Sequence, residues 1–316
     1  MTLPSKMPRP LISVIIIAYN MAREVPRTVL SFLPPYQLDI DIGDVEIIVM
    51  ENGSSAPIDP QVVATWPDCV QYVKVENPLP SPARALNQGV EMAKGDWVCP
   101  VIDGARLITP GIFKASHALM KAHDNPVIAT TGYHLGYKIQ QENVLEGYNQ
   151  AAEDALLDSI GWPHNPYSLF NISSLGGSAR GSWFTQIAES NVLVMKKEFY
   201  KAIGGFDEKF NIPGGGLVNL DFFKRCVDHE LSQYIMLLGE GSFHQYHGGV
   251  TTSRKVSLPS LEDEQKTTWQ VYSDQYLAIR GEVYKPPLAY PLIYGLANPV
   301  LRAQTIKAAL YVHTFP

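Results

Sequence analysis

The run Ile12-Ser13-Val14-Ile15-Ile16-Ile17-Ala18 constrains this chain more than any other segment. It is dense in β-branched residues and nearly continuous in its apolar character, the signature of a strand buried on both faces. The whole apolar stretch, 11–19, is too short to span a bilayer, and no small-residue cleavage site follows it. Residues 22–32 continue with helical spacing. A doubly buried strand running directly into a helix predicts an α/β fold: a mostly parallel central sheet with helices on both faces.

The alternation repeats along the first half. Residues 45–50, 70–75 and 97–102 read as further strands, the first ended by the turn residues Glu51-Asn52-Gly53-Ser54-Ser55. Residues 81–94 read as a helix with Ser81 as N-cap, Pro82 in its first turn and Gly95 as its stop. Further on, 127–131, 191–195 and 234–238 have strand character. Residues 144–160, 217–229 and 262–278 have helical character. The Pro-, Asn-, Ser- and Gly-rich stretch 161–182 is expected to be a long functional loop.

At 316 residues the chain fits one large domain or two intimate ones. A net charge of −6 with no basic run argues against nucleic acid as a partner. Cys69, Cys99 and Cys226 are odd in number and widely spaced, which predicts reduced core residues in a reducing, cytoplasmic compartment. The stretch 286–316 is rich in Tyr, Leu, Pro and Ala and carries Arg302 and Lys307. It is expected to pack as a helix on the main body, with peripheral membrane contact as the alternative.

Six residues after Gly204-Gly205-Phe206-Asp207-Glu208, the glycine triplet Gly214-Gly215-Gly216 leads into a helical pattern carrying Asp221 and Arg225. Glycines at a helix N-terminus permit close approach of a substrate and favour negative charge there.

Three groups of motifs, in this order, resemble the family 2 glycosyltransferases. The first is Ser13 to Ala18 with Tyr19-Asn20. The second is 45–54 with Ala83-Arg84-Ala85-Leu86-Asn87-Gln88-Gly89 and the strand ending at Asp103. The third is Gly204-Gly205-Phe206-Asp207-Glu208 with the Asp221 helix. The resemblance spans roughly 11–250 and implies a GT-A fold with a Rossmann-like nucleotide-binding half at 11–104 and an acceptor half at 105–256. Residues 257–316 would then form a C-terminal helical extension. It implies transfer of a sugar from a nucleotide-sugar donor to a glycan or lipid-linked acceptor, as in surface polysaccharide synthesis. Such an enzyme would be cytoplasmic, working in part at the membrane face. The other reading is a non-catalytic GT-A module that binds nucleotide or glycan within a larger assembly.

By the same resemblance, Ala18, Tyr19, Asn20, Glu51, Asn52, Arg84, Asp103 and Arg106 would line the donor pocket. A Mn²⁺ or Mg²⁺ ion would sit on Asp103 and His247, while His244 reads as an ordinary hydrogen-bonded loop histidine. The sequence departs from the family pattern at three places. Glu51-Asn52 stands where two acids are usual. Asp103-Gly104-Ala105-Arg106 keeps one acid of two. Val218-Asn219 replaces the Glu-Asp pair that supplies the base. Arg106 either neutralises diphosphate or faces outward. An asparagine cannot accept the acceptor's proton, so the catalytic carboxylate falls to Asp221 or Glu189. Asp221 has pairing with Arg225 as its alternative role, and Glu189 a solvent-exposed strand end. Trp183, Glu189 and Asn219 are the acceptor-side candidates, with Trp183 a stacking platform for a sugar ring.

Overall fold

The computed structural model describes residues 11–248 and 267–314. The strands are β1 Ile12–Ala18, β2 Val45–Glu51, β3 Val70–Lys74, β4 Trp97–Val101, β5 Arg106–Ile108, β6 Pro126–Leu135, β7 Ser173–Leu175, β8 Leu193–Lys196, β9 Gln233–His244 and β10 Leu292–Gly295. They form one ten-stranded sheet in the order β10-β9-β6-β8-β4-β1-β2-β3, with β5 on β9 and β7 on β6. Strands β1 to β4 are mutually parallel, as are β6, β9 and β10, and β8 runs antiparallel between β4 and β6.

The period of two sorts the β1 side chains between two cores. Ile15 and Ile17 face the helices Ala83–Met92 and Val218–Val227, with Ile48, Leu86, Phe222 and Phe223 as neighbours in the cluster. Val14 and Ile16 face Glu24–Phe32 and Ile112–Ala122, with Val25, Val29 and Phe113. Both faces of the sheet are therefore covered, which is why β1 and β2 are buried at every position. The fold is the α/β class expected. Cys99 and Cys226 are buried and Cys69 half-buried, all as free thiols.

Four expectations need correction. The helix foreseen over 144–160 is two helices, Gln140–Leu145 and Gln150–Ser159. The chain turns between them, and the Asn149 side chain caps the second by accepting from the Ala152 N–H. Ser81 does not cap Ala83–Met92: its Oγ reaches the Ala83 N–H only at 3.4 Å, and Pro82 occupies the cap position. The stretch 161–182, expected to be a long loop, carries the strand β7, and its Leu169, Phe170 and Ile172 pack into a third core with Tyr133 and Phe243. The C-terminal segment is helical at Thr268–Arg280 and Arg302–Thr314, but between them β10 extends the main sheet beside β9. The boundary foreseen at 256/257 lies outside the described residues.

Topology brings distant segments to one end of the sheet. Strand β8 is antiparallel to β4, so its start lies beside the end of β4, and the ends of β6 and β9 lie there too. Residues following β1, β2, β4 and β9 and residues preceding β8 thus share a common edge.

Candidate active site

On the donor side, the turn after β1 is pinned to the turn after β2. Asn20 sits at φ +53, donates its N–H to Ser54 Oγ at 2.7 Å, and accepts from Ser55 Oγ and Ala56 N at 3.1 Å. Ala18 O accepts the Asn52 N–H at 2.8 Å. Glu51 is buried, and its carboxylate accepts from Ser54 Oγ and, at 2.8 Å, from Tyr72 OH. The Asn52 amide donates to Leu79 O at 3.0 Å, while its Oδ1 is buried with no hydrogen-bond partner among the described residues. Tyr19 presents an exposed ring at the same edge. Arg84, half-buried at the start of its helix, donates to Asn77 O.

Asp103 follows β4 and is the centre of a compact cluster. Its Oδ2 lies 2.8 Å from His244 Nε2 and 3.2 Å from an Arg106 guanidinium nitrogen, and its Oδ1 lies 3.5 Å from His247 Nε2. One ligand atom from each of Asp103, His244 and His247 falls within 4.8 Å of the others. The two Nε2 atoms are 3.1 Å apart. That geometry suits either a hydrogen bond between opposite tautomers or two lone pairs aimed at one cation. Burial pushes the Asp103 carboxyl up, but His244, His247 and Arg106 outweigh it and hold it well below the usual carboxylate range. Burial brings the His244 imidazole down to about 4, against the pull of Asp103, so at neutral pH it is neutral. An ionised carboxylate beside a neutral imidazole is the protonation state metal ligation requires.

The strand that delivers His244 was only partly visible in sequence. The strand expected over 234–238 runs on through Gly239-Glu240-Gly241-Ser242 to His244, with a register irregularity between Ala129 and Thr131 of β6. His244 therefore stands at a strand end opposite Arg106 of β5 and not in a loop. Arg106 is buried and directed at Asp103, so it does not face outward. Gly104 lies between them for a steric reason: a Cβ there would meet the Ile17 carbonyl oxygen at 2.1 Å.

On the other side of the site, Glu189 accepts from Ser178 Oγ at 2.9 Å and from the Asn219 amide at 2.6 Å. The same amide nitrogen lies 3.4 Å from Asn191 Oδ1. Glu189 is thus an oriented carboxylate surrounded by neutral donors, which the sequence did not reveal because Ser178 and Asn219 lie far from it in the chain. All three glycines of 214–216 have positive φ, at +74, +79 and +58. A Cβ on Gly215 would press on Pro82 and Val218, so this tight turn seats the Asn219 helix against the start of Ala83–Met92.

Asp221 has different surroundings. It is 1% exposed and is held by Arg225 at 2.8 Å and by two nitrogens of Arg280 at 2.7 Å each. Arg225 also donates to Ile203 O and Gly205 O, and Arg280 reaches Asp207 at 2.9 Å. Those bonds tie the helix to the Gly204-Gly205 turn and to Thr268–Arg280. Trp183 is half-buried and donates its indole N–H to Leu237 O at 3.3 Å, while the neighbouring Phe184 is the exposed ring of that turn.

Residues 13–103 match the family model for glycosyl transferase family 2. None of the curated proteins compared matches the chain. Among solved structures, that of S. aureus TarS 1–349 in complex with UDP-GlcNAc is similar with a TM-score of 0.50 at 13% identity, over 97% of this chain and 82% of that one. A longer S. aureus TarS structure gives 0.48 at 14% identity, over 75% of this chain but only 37% of that chain. The chain therefore spans well under two thirds of the longer protein. At such identity the likeness concerns the fold, which is that of a GT-A domain.

Proposed function

On the match of residues 13–103 to the family model for glycosyl transferase family 2, we propose that this GT-A chain is a family 2 glycosyltransferase that moves a sugar from a nucleotide-sugar donor to a hydroxyl of a glycan or lipid-linked acceptor, in surface polysaccharide synthesis. The observation that carries this reading is the gathering at one end of the sheet of the Asp103 cluster and the Glu189–Asn219 pair. A uridine diphosphate sugar is the first donor to test, because the similar TarS structure holds UDP-GlcNAc.

The donor base and ribose lie on Ala18, Tyr19, Asn20, Glu51 and Asn52, where the unpartnered Asn52 Oδ1 offers an acceptor for a ribose or base N–H/O–H group. Arg84 and Arg106 face the diphosphate. Asp103, His244 and His247 would hold a divalent cation. Two imidazoles with one carboxylate suit Mn²⁺ better than Mg²⁺, which prefers an all-oxygen shell. Such a cation, when bound, stabilises the negative charge of the departing diphosphate.

Glu189 is the general base in this reading. It takes the proton from the acceptor hydroxyl as that oxygen forms a bond to the anomeric carbon, and the bond from that carbon to the diphosphate oxygen breaks with its electron pair leaving on the diphosphate. Asn219 donates to Glu189 and fixes the direction of its free lone pairs. The carboxylate that other members carry on the helix is thereby supplied from the segment that leads into β8. Attack on the face opposite the leaving group inverts the anomeric centre.

One observation favours the non-catalytic alternative: acids usual in the family are missing at all three places, at Asn52, after Asp103 and at Val218-Asn219. Turnover decides between the two. Purified protein given UDP-GlcNAc and other nucleotide sugars, with Mn²⁺ or EDTA, should release nucleoside diphosphate faster with Mn²⁺. Calorimetric binding with no release in any condition would establish the binding module instead.

Peripheral membrane contact fits the C-terminal surface. Leu288, Tyr290 and Leu296 are 78%, 72% and 85% exposed, and no acid follows Glu282 while Lys285, Arg302 and Lys307 do. Among the described residues no helix is long and apolar enough to cross a membrane. Apolar side chains with nearby cations suit an anionic lipid surface. Co-sedimentation with phosphatidylglycerol vesicles, lost in Leu288→Ser/Leu296→Ser, checks it. Equal sedimentation of parent and variant rules this surface out.

A further inference from the structure

His247 lies beyond the end of β9, on chain with no regular secondary structure, yet it must stand within reach of Asp103. The residues before it are pinned from two sides. Gln245 donates its N–H to Ala105 O at 2.8 Å, two positions after Asp103, and its amide reaches Thr28 Oγ1 at 3.2 Å. Tyr246 is gripped at both ends of its backbone. Its N–H donates to Glu153 Oε2 at 2.7 Å, and its carbonyl accepts from Arg23 at 3.0 Å. Glu153 and Arg23 are themselves paired at 2.7 Å, and Tyr148 OH donates to the same carboxylate at 3.2 Å.

We infer that Glu153 and Arg23 are positioning residues for the Asp103–His244–His247 centre: by clamping the Tyr246 peptide they set where His247 stands. The inference rests on the proposal that this centre holds a divalent cation. Its physical argument is one of cost. The Glu153 side chain has no exposure to solvent, and Arg23 fans out to Glu24, Glu153 and Asp154, each at 2.7 Å. A buried ion cluster of this kind adds little net stability over apolar packing and is best spent on fixing geometry. Burial raises the Glu153 carboxyl to about 7, although Tyr246 N–H and Arg23 pull it back, so ionisation here comes at a cost that a loop anchor alone would not require. Three donors converge on this carboxylate, and only a carboxylate can accept from all of them. Tyr246 N–H and Tyr148 OH share Oε2 while Arg23 takes Oε1, so a glutamine that keeps its oxygen on Tyr246 turns its NH₂ against the Arg23 guanidinium and loosens the bond from Arg23 to the Tyr246 carbonyl.

The test is Mn²⁺ titration of the purified chain, following the free-ion EPR signal, in Glu153→Gln and in Asp154→Asn. Asp154 belongs to the same ion cluster, bonded to Arg23 and Arg27, whereas the Tyr246 backbone is held by Glu153 and Arg23. Loss of an outer-shell partner of a ligand weakens metal binding about 10- to 100-fold. Glu153→Gln should therefore weaken Mn²⁺ binding by at least about tenfold and broaden the bound-ion spectrum, with UDP binding in EDTA unchanged. Asp154→Asn should change it by less than about threefold. Equal losses in the two variants, or none in Glu153→Gln, overturn the inference alone. A parent chain that binds no Mn²⁺ overturns the metal centre, and this inference with it. If Glu153→Gln does not fold, Arg23→Lys, which keeps the charge and removes the fork that reaches Tyr246 O, takes the same comparison with the same outcomes.

Discussion

Asp221, on the Asn219 helix, and Glu189, bonded to Asn219 at its start, live in opposite electrostatic company. Asp221 is sealed from solvent and neutralised by Arg225 and Arg280. Glu189 is held by a hydroxyl and an amide. A carboxylate saturated by guanidinium forks has its lone pairs committed and its negative charge spent on joining three segments of the fold. One oriented by neutral donors keeps its charge and has lone pairs left for a substrate hydroxyl. Under the proposed function the contrast separates a strut from a base, although sequence alone favoured the first as catalyst for lying nearest the altered position.

The comparison can be broken most sharply at Asp221. Removing one member of a buried ion pair leaves the other uncompensated, which typically costs 3–5 kcal/mol. Because Arg225 and Arg280 are about a quarter exposed, Asp221→Asn should lose less, about 2–3 kcal/mol, measured by urea unfolding. Its folded fraction should turn over within about threefold of the parent. Intact stability with a hundredfold loss of turnover would exchange the two roles.

Glu189→Gln is expected to show the reverse pattern. Turnover should fall on the order of 10²-fold with donor affinity unchanged, as for a lost general base, and stability should move by less than about 1 kcal/mol. Near-parental turnover would remove Glu189 from the chemistry and leave a retaining route, with the donor phosphate accepting the proton, as the remaining explanation.

The smallest effect sharpens the donor side of the same site. Burial keeps the His244 imidazole at about 4, below its ordinary 6.5. Between those values the unfolded chain binds a proton that the folded one refuses. The contribution is therefore present above about 6.5 and lost as pH falls toward 4. Urea unfolding in EDTA at a series of pH values should give a parent-minus-His244→Gln stability difference that grows with pH across this window. A flat difference means that folding does not lower the affinity of His244 for a proton, and the burial account of this imidazole fails.

The strands and helices of the first half were legible because each carries its own period: continuous apolar runs at 12–18 and 45–50, and amphipathic spacing at 24–32 and 83–92. Short pieces such as β5, β7 and β10 were not, since three or four residues held by a neighbouring strand show no period of their own. Glu51, Asp103 and His247 were legible as strand-end or glycine-flanked polar residues. His244 was misjudged because the glycines at 239 and 241 disguise the strand that carries it.

What the sequence by itself determined is the layered α/β architecture and the presence of an acid at the end of the fourth strand, since both follow from local periodicity and chain order. Only the tertiary structure decided which charges cooperate. Arg106 turns inward onto Asp103, Asn219 meets Glu189 across 30 positions, and Arg280 reaches back across 59 to Asp221. Such pairings are set by sheet order and by the direction of β8, so residues remote in the chain share one electrostatic environment. The physical reason is range: periodicity acts over a few residues, whereas a hydrogen bond or ion pair depends on distances that only the folded chain defines.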